Sequence, residues 1–206
     1  MSAAALDVTS TRAWLLRFSE HVVADADELT ELDRLVGDGD FGWNLSAAVR
    51  RARPGLESPA ETPGELWSRL SDAFLAAGGT SGPLFGLWFG RLGASEATGW
   101  TGHDLADGLS RATEAVTRLG GASVGDCTMV DALVPATQAA ADAADADWSD
   151  AVAAAAAAAR TGAESTAPLV ASRGRASYVG ERARDVVDPG ALAVAWFLEA
   201  ATDTVR

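Results

Sequence analysis

The chain has 206 residues, a formal net charge of −13 and a single cysteine, Cys127. That length suits one domain, residues 1–206, with a hydrophobic core of its own. The acidic excess disfavours nucleic acid and anionic membranes as partners, and obliges any polyanionic ligand to find a local source of positive charge. Alanine is abundant and β-branched residues are sparse, which favours helix. From Ser10 to Ala24, Trp14, Leu15, Phe18 and Val22 fall on one helical face. A short helix over Asp27 to Leu35 follows, and a third from Gly42 to Arg53 is expected to stop at Pro54-Gly55. Thr62-Pro63-Gly64-Glu65 reads as a capping box opening a helix that ends near Gly78-Gly79. The next helix, from Gly82-Pro83, carries Leu84, Phe85, Leu87, Trp88 and Phe89, apolar nearly all round, and is expected to sit centrally. Further helices are expected over Thr101 to Leu119, with Gly120-Gly121 as the stop, and over Thr128 to Ala144, kinked at Pro135. Trp148 to Ala163 contains an alanine run suited to close packing, and the last helix runs from Gly190 to Thr204.

No segment shows sustained period-two alternation, so the expected class is all-α, with about eight helices. Trp14, Trp67, Trp88 and Trp196 lie on apolar faces and are expected in the core. No apolar run reaches the roughly 20 residues of a membrane span. The first residues, Met1 to Asp7, lack the basic start and apolar centre of a secretory signal. With one cysteine and no internal disulfide, a reducing, cytoplasmic setting is expected.

The loops carry the chemistry. Asp33, Asp38 and Asp40 fall within eight residues, interleaved with Gly37, Gly39 and Gly42. Like charges that close repel, and a hard divalent cation such as Mg²⁺, which takes oxygen ligands, would hold them together. A solvated acidic loop capping the next helix is the other reading of the same residues. Gly78-Gly79-Thr80-Ser81-Gly82-Pro83 fits either a tight interhelix turn or an anion site at a helix start. In Gly125-Asp126-Cys127-Thr128-Met129, Thr128 suits a helix cap or a phosphate contact, and Met129 suits packing on an aromatic base. Arg175, among small residues in Gly174-Arg175-Ala176-Ser177-Tyr178, fits a phosphate fork or an ordinary surface arginine. Asp188-Pro189-Gly190 starts the final helix with Asp188 as its cap. Trp43, next to the acidic loop, is a candidate wall of a nucleotide pocket.

Taken in order, these segments resemble the L subunit of bacterial dihydroxyacetone kinases. They run from Val36-Gly37-Asp38-Gly39-Asp40-Phe41-Gly42-Trp43-Asn44 through Gly78–Gly86 and Gly125–Ala132 to Gly174–Arg182 and Asp188–Ala191. The resemblance covers nearly the whole chain. It implies an antiparallel barrel of eight helices whose loops hold a nucleotide at one end. It also implies that Asp33, Asp38 and Asp40 bind two Mg²⁺ ions bridging the phosphates of ADP or ATP. Nucleotide contacts carried over from the family fall on Phe41, Gly42, Trp43, Asn44, Thr80, Ser81, Gly120, Thr128, Met129, Arg175, Asp188, Pro189 and Gly190.

The resemblance further implies that the acceptor, dihydroxyacetone, is held by a histidine of a separate K-type subunit. The chain would then be a phosphotransferase half-enzyme with no catalytic residue of its own. The donor would be ATP, or a phosphotransferase-system protein that rephosphorylates bound ADP. His21 and His103 read as structural residues, and Cys127 lacks a neighbouring histidine and does not read as a nucleophile. Two positions depart from the family pattern: Phe41 stands where His is usual, and Cys127 where Lys is common. Neither is a metal ligand, but both bear on phosphate binding. They favour another reading, a non-catalytic nucleotide-binding regulatory module; a third, a kinase subunit for another short sugar or a fatty acid, follows from the acceptors that related domains serve.

Overall fold

A computed structural model describes residues 6–79, 81–95, 97, 99–173, 177, 184–202 and 204. Among these, nine helices form: α1 (Val8–Ala24), α2 (Ala26–Val36), α3 (Phe41–Glu57), α4 (Pro63–Leu75), α5 (Ser81–Leu92), α6 (Gly102–Gly120), α7 (Val130–Asp142), α8 (Trp148–Glu164) and α9 (Pro189–Thr202). Each of α3 to α9 packs on the next, and α9 returns to α1, which also packs on α3. Eight helices thus close a ring, and α2 lies against it on α3 and α9. The all-α expectation holds. The described β structure is a single bridge, Leu6 to Trp100, fastening the chain start to the α5–α6 connection. No helix among the described residues is long and apolar enough to cross a membrane.

The helix starts follow from local chemistry. Asp7 and Ser10 form a reciprocal capping box on α1, as Thr101 and Asp104 do on α6, and Gly121 ends α6 in the left-handed conformation at φ 61°. At α4 only half the expected box forms. Thr62 accepts the Glu65 N–H, but the Glu65 carboxylate reaches back to the Glu61 N–H instead. Pro54 does not stop α3, which continues to Glu57. Leu56 is fully buried there, and guanidiniums serve the end of the helix: Arg12 donates to the Leu56 carbonyl and Arg69 to that of Gly55 at 2.9 Å. Burial of Leu56 and these donors outweigh the single N–H that proline removes. The helix α7 likewise runs through Pro135. Proline leaves the Asp131 carbonyl without its helical donor, and Gly162 of α8 packs there so closely that a Cβ would stand 2.3 Å from that oxygen.

Trp14, Trp67 and Trp88 are fully buried and Trp196 nearly so, as their periodicity requires. The most enclosed helix, however, is α9 and not α5: Pro189 to Leu198 is buried without a break, whereas Leu84 and Leu87 of α5 are half-exposed. Alanine at three of those α9 positions, Ala191, Ala193 and Ala195, lets neighbours approach closely. Phe197 of α9 meets the rings of Trp14, Phe18, Trp67, Trp88 and Phe89 at centroid distances of 4.6 to 5.9 Å. The Trp14 indole N–H donates to the Phe197 carbonyl at 2.7 Å. This aromatic centre is continuous and leaves the loops at one end of the ring to build a site.

Candidate nucleotide and metal site

A cavity of about 270 Å³ opens at the end where α3, α5, α7 and α9 begin and where α2, α4 and α6 end. Asp33, Asp38 and Asp40 line one side of it. Each can offer one carboxylate oxygen, and the three oxygens lie within 4.8 Å of one another. Asp33 projects from the last turn of α2, and its Oδ2 accepts the N–H groups of Asp40 at 2.9 Å and Phe41 at 3.1 Å. One carboxylate therefore ties the end of α2 to the start of α3. Asp40 occupies the N-cap position of α3 without making a side-chain capping bond, so the cap reading does not account for its carboxylate. Gly37 is required by close approach, since a Cβ there would stand 2.3 Å from Asp33 Oδ1, and Gly39 turns the loop at φ 73°. Three convergent, partly exposed oxygens of this kind suit Mg²⁺.

Phe41 and Asn44, one helical turn apart, face the cavity from α3. Phe41 is half-buried and its ring meets Phe85 edge-on at 6.3 Å, so it is part of the wall. The other two expected α3 residues lie elsewhere. Gly42 is buried against α2, where a Cβ would stand 2.0 Å from the Ala26 carbonyl, and Trp43 points outward, 68 % exposed. Ser81 lines the cavity beside Gly79, but Gly82 is pressed against the carbonyls of Phe74 and Ala77. That glycine serves the α4–α5 turn, so only Gly79 and Ser81 of the described residues in this segment line the cavity. Thr80 and Arg175 fall outside the described residues.

The Gly125–Asp131 turn is organised by a residue that motif reading passed over. Asp131 is 2 % exposed; its Oδ1 accepts the Gly125 N–H at 2.5 Å and its Oδ2 the Thr128 N–H at 2.8 Å. Between them Cys127 takes a left-handed backbone, φ 59°, and lines the cavity with Thr128 and Met129. The Thr128 hydroxyl accepts the N–H of Val130, the first residue of α7, at 3.2 Å while bordering the cavity; the N-cap itself is Met129. Burial, with the carboxylates of Asp188 and Asp131 adding, pushes the Cys127 thiol up to about 12, which leaves it un-ionised and no nucleophile.

Gly120, Asp188, Pro189 and Gly190 complete the expected set on the cavity wall. Asp188 caps α9, accepting the Ala191 N–H at 2.7 Å, while its own N–H donates to the buried Thr166 hydroxyl at 2.8 Å. Burial raises the Asp188 carboxyl to about 7; the Ala191 N–H opposes this and the Asp131 carboxylate adds to it. Val36, Leu84, Phe85, Val116, Ala122 and Val130 form the apolar part of the lining, and Arg173 is its guanidinium. The apolar residues lay hidden among ordinary core positions of their helices. Neither histidine reaches the cavity. His21 stacks on Trp196 at 4.3 Å, and His103 pairs with Asp145 at 2.9 Å.

Four helix N-termini thus stand around a cavity that also carries a carboxylate cluster. Their first-turn N–H groups and dipoles favour an anion, while the carboxylates favour a cation. An anion carrying its own divalent metal satisfies both. Among known protein families, the DAK2 domain matches residues 35–203. The chain belongs to that family.

Two kinds of DAK2 relative are found. The L-erythrulose 1-kinase of Mycolicibacterium smegmatis is 37 % identical over 90 % of this chain, but the match covers 34 % of that protein. The chain spans about a third of the length of such relatives. The ADP-binding subunit of the PTS-dependent dihydroxyacetone kinase of Lactococcus lactis is 32 % identical, covering 97 % of this chain and 99 % of that subunit. Among solved structures, the dihydroxyacetone kinase of C. freundii in complex with AMP-PNP and Mg²⁺ superposes with a TM-score of 0.68. It is 26 % identical, covering 96 % of this chain and 33 % of that one.

Proposed function

We propose that this DAK2 domain is the nucleotide-binding subunit of a kinase, loading ADP or ATP with Mg²⁺ and passing a phosphoryl group to dihydroxyacetone on a separate K-type subunit. The carrying observation is the carboxylate cluster of Asp33, Asp38 and Asp40 on one cavity with the N-termini of α3, α5, α7 and α9. Those three aspartates are the residues that would hold the metal, as two ions by family resemblance. When bound, Mg²⁺ supplies the positive charge that phosphate oxygens need beside carboxylates in an acidic chain. The residues of the chain position the ligand. Ser81 and the first-turn N–H groups of α5 receive phosphate oxygens, and Leu84, Val116, Met129 and Val130 offer an apolar slot for the base.

Phosphoryl transfer needs alignment and charge neutralisation more than covalent help, so a site without a nucleophile or general base is sufficient on the donor side. The acceptor then comes from a partner, in keeping with two histidines that stand away from the cavity. Both expected donors, ATP and a phosphotransferase-system protein, remain compatible with this assignment. The erythrulose kinases among the relatives favour a second acceptor, a four-carbon ketose.

Calorimetric titration with ADP tests the reading directly. Binding is expected to depend on Mg²⁺ and to be lost when Asp38 and Asp40 are both changed to Asn. Unchanged affinity in that double variant would overturn the proposal. Turnover with a K-type partner, given ATP or a phosphotransferase-system donor and a triose or tetrose acceptor, then identifies donor and acceptor.

A further inference from the structure

The cavity is lined by Asp33, Asp38, Asp40 and Asp188, and the one cationic side chain on its described lining is that of Arg173. This arginine follows Ser172, and both are fastened to Asp126 on the turn that also carries Thr128 and Met129. The Ser172 N–H donates to the Asp126 carbonyl at 3.2 Å and the Ser172 hydroxyl to Asp126 Oδ1 at 2.5 Å. Asp126 Oδ2 accepts the Ser123 N–H at 2.9 Å and stands 3.6 Å from Arg173 Nε. The Arg173 side chain is 54 % exposed, that of Asp126 24 %.

We propose that Arg173 is a phosphate ligand of the nucleotide cavity and that Asp126 is its positioning residue. The inference rests on the nucleotide reading above and adds to it a cation that motif reading did not single out. An arginine this exposed would otherwise sample many rotamers. Pairing with Asp126 confines it to the cavity wall before any ligand arrives, which lowers the ordering cost of binding. A half-exposed ion pair at 3.6 Å is weak. A diphosphate offers the same guanidinium more charge and a planar fork of oxygens, so Arg173 can turn to it while Asp126 stays bonded to Ser123 and Ser172. The serine bonds hold the Asp126 carboxyl below its ordinary range, so it is ionised and able to keep its hold on Arg173 at neutral pH.

The test is titration of the full chain with ADP and with adenosine at fixed Mg²⁺, for wild type, Arg173→Ala, Arg173→Lys, Asp126→Asn and the Asp126→Asn/Arg173→Ala pair. Circular dichroism confirms that each variant folds. Arg173→Ala is expected to weaken ADP about tenfold or more and leave adenosine unchanged, with Arg173→Lys recovering part of the loss. Asp126→Asn is expected to weaken ADP about threefold in the wild-type background and to have no effect once Arg173 is gone. ADP binding within about twofold of wild type in Arg173→Ala, or an equal loss for adenosine, overturns the ligand assignment. An Asp126→Asn effect that persists without Arg173 overturns the positioning role. Wild-type protein that binds no ADP at any Mg²⁺ concentration overturns the nucleotide reading itself, and this inference with it.

Discussion

Neutralising one corner of the carboxylate cluster should reverse its effect on stability according to whether metal is present. The perturbation is Asp40→Asn, which keeps a good N-cap residue at the start of α3 and leaves the backbone bond from residue 40 to Asp33 intact. The three oxygens lie within 4.8 Å, and two unit charges at that distance repel by about 0.9 kcal/mol in water. Removing one charge deletes two such pairs, about 1.7 kcal/mol. The variant also loses a favourable interaction with the α3 N-terminus of about 0.5 kcal/mol. In low-salt buffer with a chelator, Asp40→Asn should therefore be more stable than wild type by about 1 kcal/mol, a rise of about 2–4 °C in Tm for a chain of this size. With Mg²⁺ at a hundred times its Kd, wild type should gain about 2.7 kcal/mol and the variant little, so the order inverts. Scanning calorimetry with chelator and with Mg²⁺ reads both arms. A variant less stable than wild type in chelator, or a wild-type Tm indifferent to Mg²⁺, refutes the metal-site argument.

Three further outcomes are expected. Asp131→Ala strips acceptors from the N–H groups of Gly125 and Thr128 and should cost about 2–4 kcal/mol in urea unfolding, whereas a loss under about 0.5 would show that water replaces the carboxylate freely. Gly162→Ala places a methyl 2.3 Å from the Asp131 carbonyl oxygen and 2.9 Å from Pro135 Cγ, forcing α7 and α8 apart at a cost of about 2 kcal/mol or more; an unchanged Tm would contradict that packing. The Asp188 carboxyl, raised from 3.8 to about 7, holds a proton in the folded state that the unfolded chain has already released. Its contribution to stability is full below pH 4 and falls as pH rises to about 7, by at most about 4 kcal/mol. Asp188→Asn keeps the cap on Ala191 and should flatten that slope in chelator, and an unaltered pH profile would rule out Asp188 as its source.

Much of the fold was legible because helix signals are local. The periodicity that buries Trp14 and Phe18, the box at Thr101–Asp104 and the stop at Gly121 each need only a few neighbouring residues. The acidic cluster was legible for the same reason, its three members lying within one short loop and its flanking turns. Rotation about a helix axis was harder to read. Successive residues differ by about 100°, so Phe41 and Asn44 reach the cavity while Gly42 packs on α2 and Trp43 faces solvent. Pro54 misled because what holds the turn beyond it, the burial of Leu56 and the donors Arg12 and Arg69 to its end carbonyls, comes from other helices.

Chain composition and short-range pattern by themselves settled an all-helical chain, the starts of its main helices and a carboxylate loop able to attract a hard cation. Which helix would be enclosed, which face of α3 would line the cavity, and that Arg173, Val130 and Val116 would stand around that one cavity were decided only when the ring closed. Those outcomes depend on contacts between residues as much as 183 positions apart in sequence, as Trp14 and Phe197 are, and on the relative rotation of packed helices. Side-chain volumes across the whole core determine that rotation jointly, so no single stretch of sequence contains it.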